Sequence, residues 1–274
     1  IGCLWQRINT FLGGTVSSDS DDGKYACYFA VPLNTLEEAN EANTVYYRTT
    51  ANSLITDESG AVVGVEAEMY DGTKVTLHAN QGVILATGGY GANIDMVLET
   101  NEYWDPEQLS ANILTTNRSS ATGDGIIMAQ AVGAATTGMG FTQLMPLGWA
   151  DDGKLAYGMG ENVIFVSPDG TENEGKRFVD ESAERDVLSQ GQLSYGGENG
   201  LTVQVMNGGD NTSANNREGK EYFCTLAEAC EMTGIDYDTL YNTIVEYDAA
   251  YLNGTMDTLD VPKASANATI GSYD

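Results

Sequence analysis

The chain has 274 residues, of which 42% are hydrophobic and 9% aromatic, proportions that exclude a disordered chain and predict a folded core. Its 12 Lys and Arg stand against 40 Asp and Glu, a formal net charge of −28 at pH 7. Such a surface repels nucleic acid and anionic lipid, so an anionic substrate would need a local positive site. No run approaches the ~18 apolar residues that a membrane span requires. One His and four Cys without CxxC spacing predict no zinc or iron–sulfur site.

The first part of the chain predicts a short helix followed by a β-meander. The helix is expected over 34–42, where an Asn or Thr cap precedes an acidic first turn. Alternating apolar residues and an Asp-Gly turn then predict antiparallel strands and a hairpin. These strands are predicted at 44–51, 53–57, 61–70 and 73–79.

The next part reads as one buried strand and two helices. The apolar run 82–89 ends in a double glycine and predicts the strand. Helices are predicted at 93–104, before Asp105–Pro106, and at 122–134, where Asp124 suits the positive end of the helix dipole.

The remaining elements alternate and then become helical. We predict a strand at 162–167, a helix at 180–190 and a strand at 201–206. Thr225 and Glu228 have the spacing of a capping box at the start of a C-terminal helical region. One apolar face at helical spacing follows, an ordinary core face, formed by Leu240, Ile244, Tyr247 and Tyr251.

One stretch, GKRFVDESAERD at 175–186, holds three of the 12 cations: Lys176, Arg177 and Arg185. On the residues alone, Glu181 and Arg185 lie four apart on the predicted helix. That spacing is typical of a surface ion pair worth a few tenths of a kcal/mol. Likewise, a strand ending in glycines, as at 82–89, is by itself usually only a turn.

Taken in order, four motifs resemble the flavoprotein family of fumarate reductases and succinate dehydrogenases. The similarity is greatest to its soluble branch, which includes flavocytochrome-type fumarate reductases and urocanate reductases. The motifs are VILATGGYGAN (83–93), ATGDGIIMAQAVGA (121–134), FTQLMP (141–146) and the segment 162–186.

The resemblance implies an α+β fold in two parts. Residues 1–140 would form part of an FAD-binding domain, with the β-meander, one strand and helices, and 141–274 an α+β substrate-capping domain. Family members also carry a GxGxxG strand at the start and a segment that returns to the flavin at the end, and this chain shows neither. We therefore expect a middle piece that, when isolated, is a non-catalytic module without bound flavin.

The resemblance also implies a cofactor site and a catalytic residue. FAD would lie against Ala86, Thr87, Gly88 and Gly89, with Asp124 as a further contact and Ala51 offering backbone to the adenine. For Asp124, a plain helix-dipole role stays open. Arg185 would donate a proton to one substrate carbon while the flavin delivers hydride to the next.

Lys176 and Arg177 are expected to be structural, and Glu181, placed at the substrate pocket, would position the helix of Arg185.

Departures from the family pattern bear on the substrate. Met145–Pro146 stands where fumarate reductases have His-Pro, and Ala156 and Met159 replace a Glu-x-x-Arg proton relay. The resemblance therefore implies another unsaturated carboxylate. Its pocket is expected to include Met145, Tyr157 and Glu161, with Trp149 nearby; Trp149 and Tyr157 could equally be core or surface aromatics.

The expected function of the parent protein is FAD-dependent reduction of the C=C bond of an α,β-unsaturated carboxylate. The alternative is a flavin-dependent dehydrogenase of a bulkier, ketosteroid-like substrate, which Arg185 disfavours because such enzymes tend to have Tyr there. The small-molecule substrate, the electron donor and the oligomeric state are not specified. Both the bacterial cytoplasm and the cell envelope stay open as locations.

Overall fold

A computed structural model describes residues 35–36, 38–40, 42–156, 160–207 and 222–271. The chain divides into two compact units, Ile1–Val83 and Ile84–Asp274. The predicted boundary at residue 140 is not tested and stays a prediction. Among the described helices, none is both long and apolar enough to cross a membrane.

The first unit contains the predicted meander. Its strands are β1 (Thr49–Thr56), β2 (Val62–Met69) and β3 (Lys74–His78), paired antiparallel in chain order. The Asp-Gly turn is present, with Gly72 at φ +84°. Residues 35–36 and 38–39 are helical, in agreement with the predicted short helix.

One strand assignment in this unit was wrong. The segments 44–51 and 53–57 form one strand, because β1 continues through a register shift between Ala51 and Ser53. Residue 52 is the irregular position, and the strand begins only at Thr49, after Arg48 with φ +50°.

The second unit contains the remaining helices and a two-stranded sheet. In chain order they are α1 (Ile94–Thr100), α2 (Asp124–Ala131), β4 (Val163–Val166), α3 (Arg185–Tyr195), β5 (Val203–Met206), α4 (Leu226–Thr233) and α5 (Tyr237–Asn253). Strands β4 and β5 pair antiparallel.

Strand β4 lies at the centre of this unit, with all four residues buried. Successive side chains point to opposite faces of a strand, so β4 joins two core clusters. Ile164 and Val166 pack with the apolar faces of α4 and α5, and Val163 and Phe165 pack with Leu188 of α3. The predicted apolar stripe is confirmed: Leu240, Ile244 and Tyr247 are buried and Tyr251 is half-buried.

Three assignments differ from the structure. The run 82–89 is not a strand, because no described residue pairs with the backbone of 84–88, and Ile84 is 92% exposed. Helix α1 ends at Thr100 rather than 104, since Asn101 accepts a hydrogen bond from the Trp104 N–H in a local turn. Helix α3 begins at Arg185 rather than 180, because the Asp180 carboxylate accepts from Ser182 and holds 180–183 in a turn.

Candidate active site

The glycine cleft is a cavity of about 290 Å³ between residues 85–88, helix α2 and residues 134–136 that follow it. Gly88 has φ +79°, a left-handed conformation that favours glycine. Gly125 lets α2 approach closely, because a Cβ there would lie 2.0 Å from Thr87 Oγ1. The Gly123 N–H donates to the Gly89 carbonyl at 3.2 Å and ties the two segments together. The sequence thus brings the two glycine motifs to one place.

The cleft fits the backbone approach that FAD binding would require. A Cβ added at Gly88 or Gly89 would meet nothing within 4 Å, so the backbone is open on that side. Ala86, Thr87, Gly88 and Gly89 are exposed. The backbone of 84–88 makes no hydrogen bond to the described residues. Such groups are free to bind a ligand.

Asp124 is the first residue of α2, and its carboxylate accepts from Thr122 Oγ1 at 2.8 Å. A carboxylate in the first turn stabilises the helix dipole, which agrees with the structural interpretation and leaves a flavin contact untested. Ala51 lies in β1 of the other unit, opposite Ala67. Its proposed adenine contact stays a prediction.

Arg185 is exposed and is the first residue of α3. The surface ion pair with Glu181 does not form, because Glu181 lies before the helix and is bound by other cations. Among the described residues, Arg185 has no ion-pair or hydrogen-bond partner. Its guanidinium donors are therefore available, and the catalytic role stays a prediction.

Glu181 belongs to a buried charge cluster formed with Arg177, Lys263 and Tyr247. Its oxygens accept from Arg177 at 3.0 and 2.8 Å and lie 3.4 Å from Lys263 Nζ. Oε1 also accepts the Phe165 N–H at 3.0 Å. Both cations lie over the Tyr247 ring, at 5.3 and 5.4 Å from its centroid. Arg177 is thus structural, as expected, and the Glu181 carboxylate is occupied by protein groups.

Burial and charge shift the pKa values in and beside this cluster. Burial lowers the pKa of Lys263, and the Glu181 carboxylate opposes that shift. Burial, reinforced by the Glu181 charge, raises the pKa of Tyr247 to about 12. For Asp180, burial acts to raise the pKa, but hydrogen bonds from Ser182 and the Ala264 N–H bring it below its ordinary value.

The residues predicted to line the substrate pocket contact different groups of residues. Met145 is half-buried and packs on the core cluster of β4 and α3. Glu161 accepts from Ser265 Oγ at 2.7 Å and Asn267 Nδ2 at 2.9 Å. Tyr157 lies outside the described residues. Substrate contacts of Met145, Tyr157, Glu161 and Glu181 stay predictions.

Sequence reasoning missed Lys263 and Asp180. Lys263 is 82 positions beyond Glu181, and no local pattern marks it; the scarcity of cations in so acidic a chain was the only available signal. Asp180 precedes a Ser two positions on, an Asx-turn pattern that could have marked the turn before α3.

Comparison with known proteins identifies related flavoproteins. The chain is 40% identical over 214 residues to NADH:acrylate oxidoreductase of Vibrio harveyi, covering 73% of the chain and 20% of that protein. It is 30% identical over 272 residues to urocanate reductase of Eggerthella lenta, covering 92% of the chain and 43% of that protein. The chain therefore spans less than half the length of either relative.

A solved structure shares the fold. The open conformation of a flavocytochrome c3 fumarate reductase superposes with a TM-score of 0.67 at 22% identity, covering 93% of this chain and 43% of that one. Residues 28–268 match the family described as FAD binding domain. The cofactor of this family is FAD, and the matched region includes both glycine motifs and the 175–186 stretch. The chain belongs to the FAD binding domain family.

Proposed function

We propose that the full-length protein reduces the C=C bond of an α,β-unsaturated carboxylate with FAD, and that Arg185 donates the proton. The observation that carries this proposal is the state of Arg185. It is exposed at the start of α3 without a described partner, while Glu181 is held by Arg177 and Lys263. An uncommitted cation in a chain of net charge −28 is suited to an anionic substrate.

The glycine cleft is the part of the cofactor site that these residues provide. Thr87, Gly88 and Gly89 would offer open backbone to the flavin, and Gly125 keeps α2 close behind them. Reduced FAD, when bound, supplies the hydride that adds to one alkene carbon. Asp124, the first residue of α2, would provide a further contact to the flavin.

Arg185 would complete the reaction at the neighbouring carbon. A proton from the guanidinium, added at that carbon, would balance the hydride and give the saturated carboxylate, and the neutral arginine would then take up a proton again. An arginine side chain gives up its proton reluctantly in water, so this transfer depends on the geometry of the guanidinium and the substrate carbon. The role requires Arg185 to be buried close to other charge and rapidly reprotonated; Arg185 is exposed in this chain, and we propose that bound flavin and substrate cover it.

The proposed substrate class rests on the relatives of the chain and on the residue at position 145. The relatives at 40% and 30% identity are named for acrylate and urocanate, both unsaturated carboxylic acids. Met145 stands where fumarate reductases have a His, which disfavours fumarate. We propose a monocarboxylic enoate as the preferred substrate.

The test is anaerobic turnover of the full-length protein with reduced viologen and a panel of acrylate, urocanate, fumarate and a ketosteroid. We expect enoate-dependent oxidation of the viologen. Arg185→Gln should lower kcat by ~10²–10⁴-fold, the usual contribution of a general acid. Arg48→Gln, at an exposed position of the first unit, is the matched control. Unchanged turnover in Arg185→Gln, or activity with the ketosteroid alone, would contradict the proposal.

A further inference from the structure

We propose that Lys263 is a positioning residue for Arg185, acting through Glu181 and the turn at 180–183. This inference rests on the proposed function of Arg185. It adds a residue that lies far from the catalytic stretch in sequence and contacts the turn directly before it.

Lys263 is a buried cation with two specific partners. Its side chain is fully buried, and Nζ donates to the Val163 carbonyl at 2.7 Å while facing Glu181 Oε2 at 3.4 Å. Lysine is almost never fully buried unless it is paired, since removing its charge from water is costly. The ammonium therefore joins two specific groups, the edge of β4 and the carboxylate of the 175–186 stretch.

Ala264, the residue after Lys263, contacts the turn at 180–183. The Ala264 N–H donates to Asp180 Oδ2 at 2.8 Å, while Asp180 Oδ1 accepts the Ser182 N–H at 2.9 Å. The Ala183 N–H closes the turn on the Asp180 carbonyl at 2.9 Å. Lys263 and Ala264 thus hold Glu181 and Asp180, two consecutive residues that lie four and five positions before Arg185.

Helix α3 has an acidic residue, Asp186, in its first turn but no side-chain cap. Its N-cap, Glu184, makes no side-chain capping hydrogen bond. Helix α2 also lacks a side-chain cap, whereas α1, α4 and α5 begin with capping side chains, those of Asn93, Thr225 and Asp236. A helix without a cap depends on tertiary contacts for its first turn. We therefore infer that the turn that Lys263 and Ala264 hold supports the start of α3 and the position of Arg185, together with the Tyr103 hydroxyl, which donates to Asp186 in the first turn at 3.4 Å.

The test uses the full-length protein and two readouts. The variants are Lys263→Met, which removes the ammonium, Lys263→Arg, which restores a cation, and Asp180→Asn, which weakens the turn and its bond to the Ala264 N–H while Lys263 is kept. Lys74→Met, at an exposed position of β3, is the matched control. Amide hydrogen exchange at Ala183 and Leu188 reports the order of the turn and of the first turn of α3 without requiring turnover.

We expect Lys263→Met to exchange faster at both amides and to lower kcat and kcat/KM together, by ~10²-fold, with KM nearly unchanged. Small displacements of a catalytic group cost about that much, and equal losses mark an interaction made in the transition state. Lys263→Arg should recover most of both. Faster exchange with normal kcat would overturn the proposal, as would unchanged exchange.

A folding failure of the variant and a failure of the proposed function can each be distinguished from a failure of this proposal. If Lys263→Met does not fold, Asp180→Asn decides by the same two readouts, and normal values there would overturn the proposal. If the wild type reduces no enoate, the proposed function fails, and exchange at Ala183 and Leu188 still decides whether Lys263 orders the start of α3.

Discussion

Replacing Glu181 by Gln would remove the negative charge of the buried cluster while preserving the shape of the side chain. Glu181, with its side chain fully buried, faces Arg177 and Lys263, whose side chains are 6% and 0% exposed. The Gln amide oxygen can still accept the Phe165 N–H, a bond of 3.0 Å in the wild type. The change therefore tests the charge rather than the packing.

We expect a large loss of stability, because Arg177 and Lys263 would both lose the negative charge that they face. Removing one partner of a buried ion pair destabilises by about 3–5 kcal/mol, since the remaining charge stays buried without compensation. With both Arg177 and Lys263 affected, we expect about 4–5 kcal/mol. In a unit of this size, that loss lowers Tm by about 8–20 °C.

Urea and thermal unfolding of the full-length protein, followed by circular dichroism, would measure this loss. Glu172→Gln, at an exposed position of the same unit, is the control and should shift stability by less than about 0.5 kcal/mol. Lys263→Met combined with Glu181→Gln should recover part of the loss, because it removes one uncompensated cation. Equal stability of Glu181→Gln and Glu172→Gln would refute the reasoning.

Three further predictions concern other parts of the second unit. The buried Tyr247 hydroxyl has no hydrogen-bond partner among the described residues, so Tyr247→Phe should stabilise by about 1 kcal/mol in urea unfolding. The pKa of Tyr247 in the folded protein is about 12, above the ordinary 10.0, so unfolding between these pH values releases a proton from the Tyr247 hydroxyl. The free energy of unfolding should therefore fall by up to about 3 kcal/mol as the pH rises between these values. The Tyr247→Phe variant should lack this pH dependence, and an unchanged pH dependence in the variant would exclude Tyr247 as its source. Gly125→Ala should destabilise by about 1–3 kcal/mol and weaken flavin binding, because its Cβ would clash with Thr87; wild-type affinity in a fluorescence titration would contradict this. Thr225→Ala should cost about 1 kcal/mol in thermal unfolding and Thr225→Ser much less, since the capping box needs the hydroxyl; equal losses would argue against the cap.

Local signals in the sequence predicted local structure well. The Asp-Gly turn, the alternating strands of the meander and the Thr225 capping box each depend on neighbouring residues, and each is present. The stripe on α5 was recognised for the same reason, since its residues share one helical face.

Long-range contacts could not be predicted in this way. The run 82–89 has the composition of a buried strand, but strand formation requires a hydrogen-bonded neighbour, and no described residue supplies one. Glu181 and Arg185 have helical spacing, yet the buried pair of Glu181 with Lys263 removes the first of them from the helix. Acidic residues near Arg177 and Arg185 marked the stretch as unusual, but only the fold assigns their partners.

The glycine motifs fall between these cases. Their resemblance to the motifs of a known family implied a flavoprotein, and the structure brings Thr87 and Gly125 together in one cleft. The sequence could not show this contact, because it depends on the packing of α2 against a segment 37 or 38 positions earlier (residues 87–88 against Gly125).

The most direct test of the central claim is a single-turnover measurement on the full-length protein. Its FAD is reduced anaerobically, mixed with acrylate or urocanate, and followed by flavin absorbance in the wild type and in Arg185→Gln. We predict rapid enoate-dependent flavin oxidation in the wild type and a rate lower by ~10²–10⁴-fold in the variant. Equal rates in the two proteins, or no oxidation of the wild type by either acid, would contradict the account.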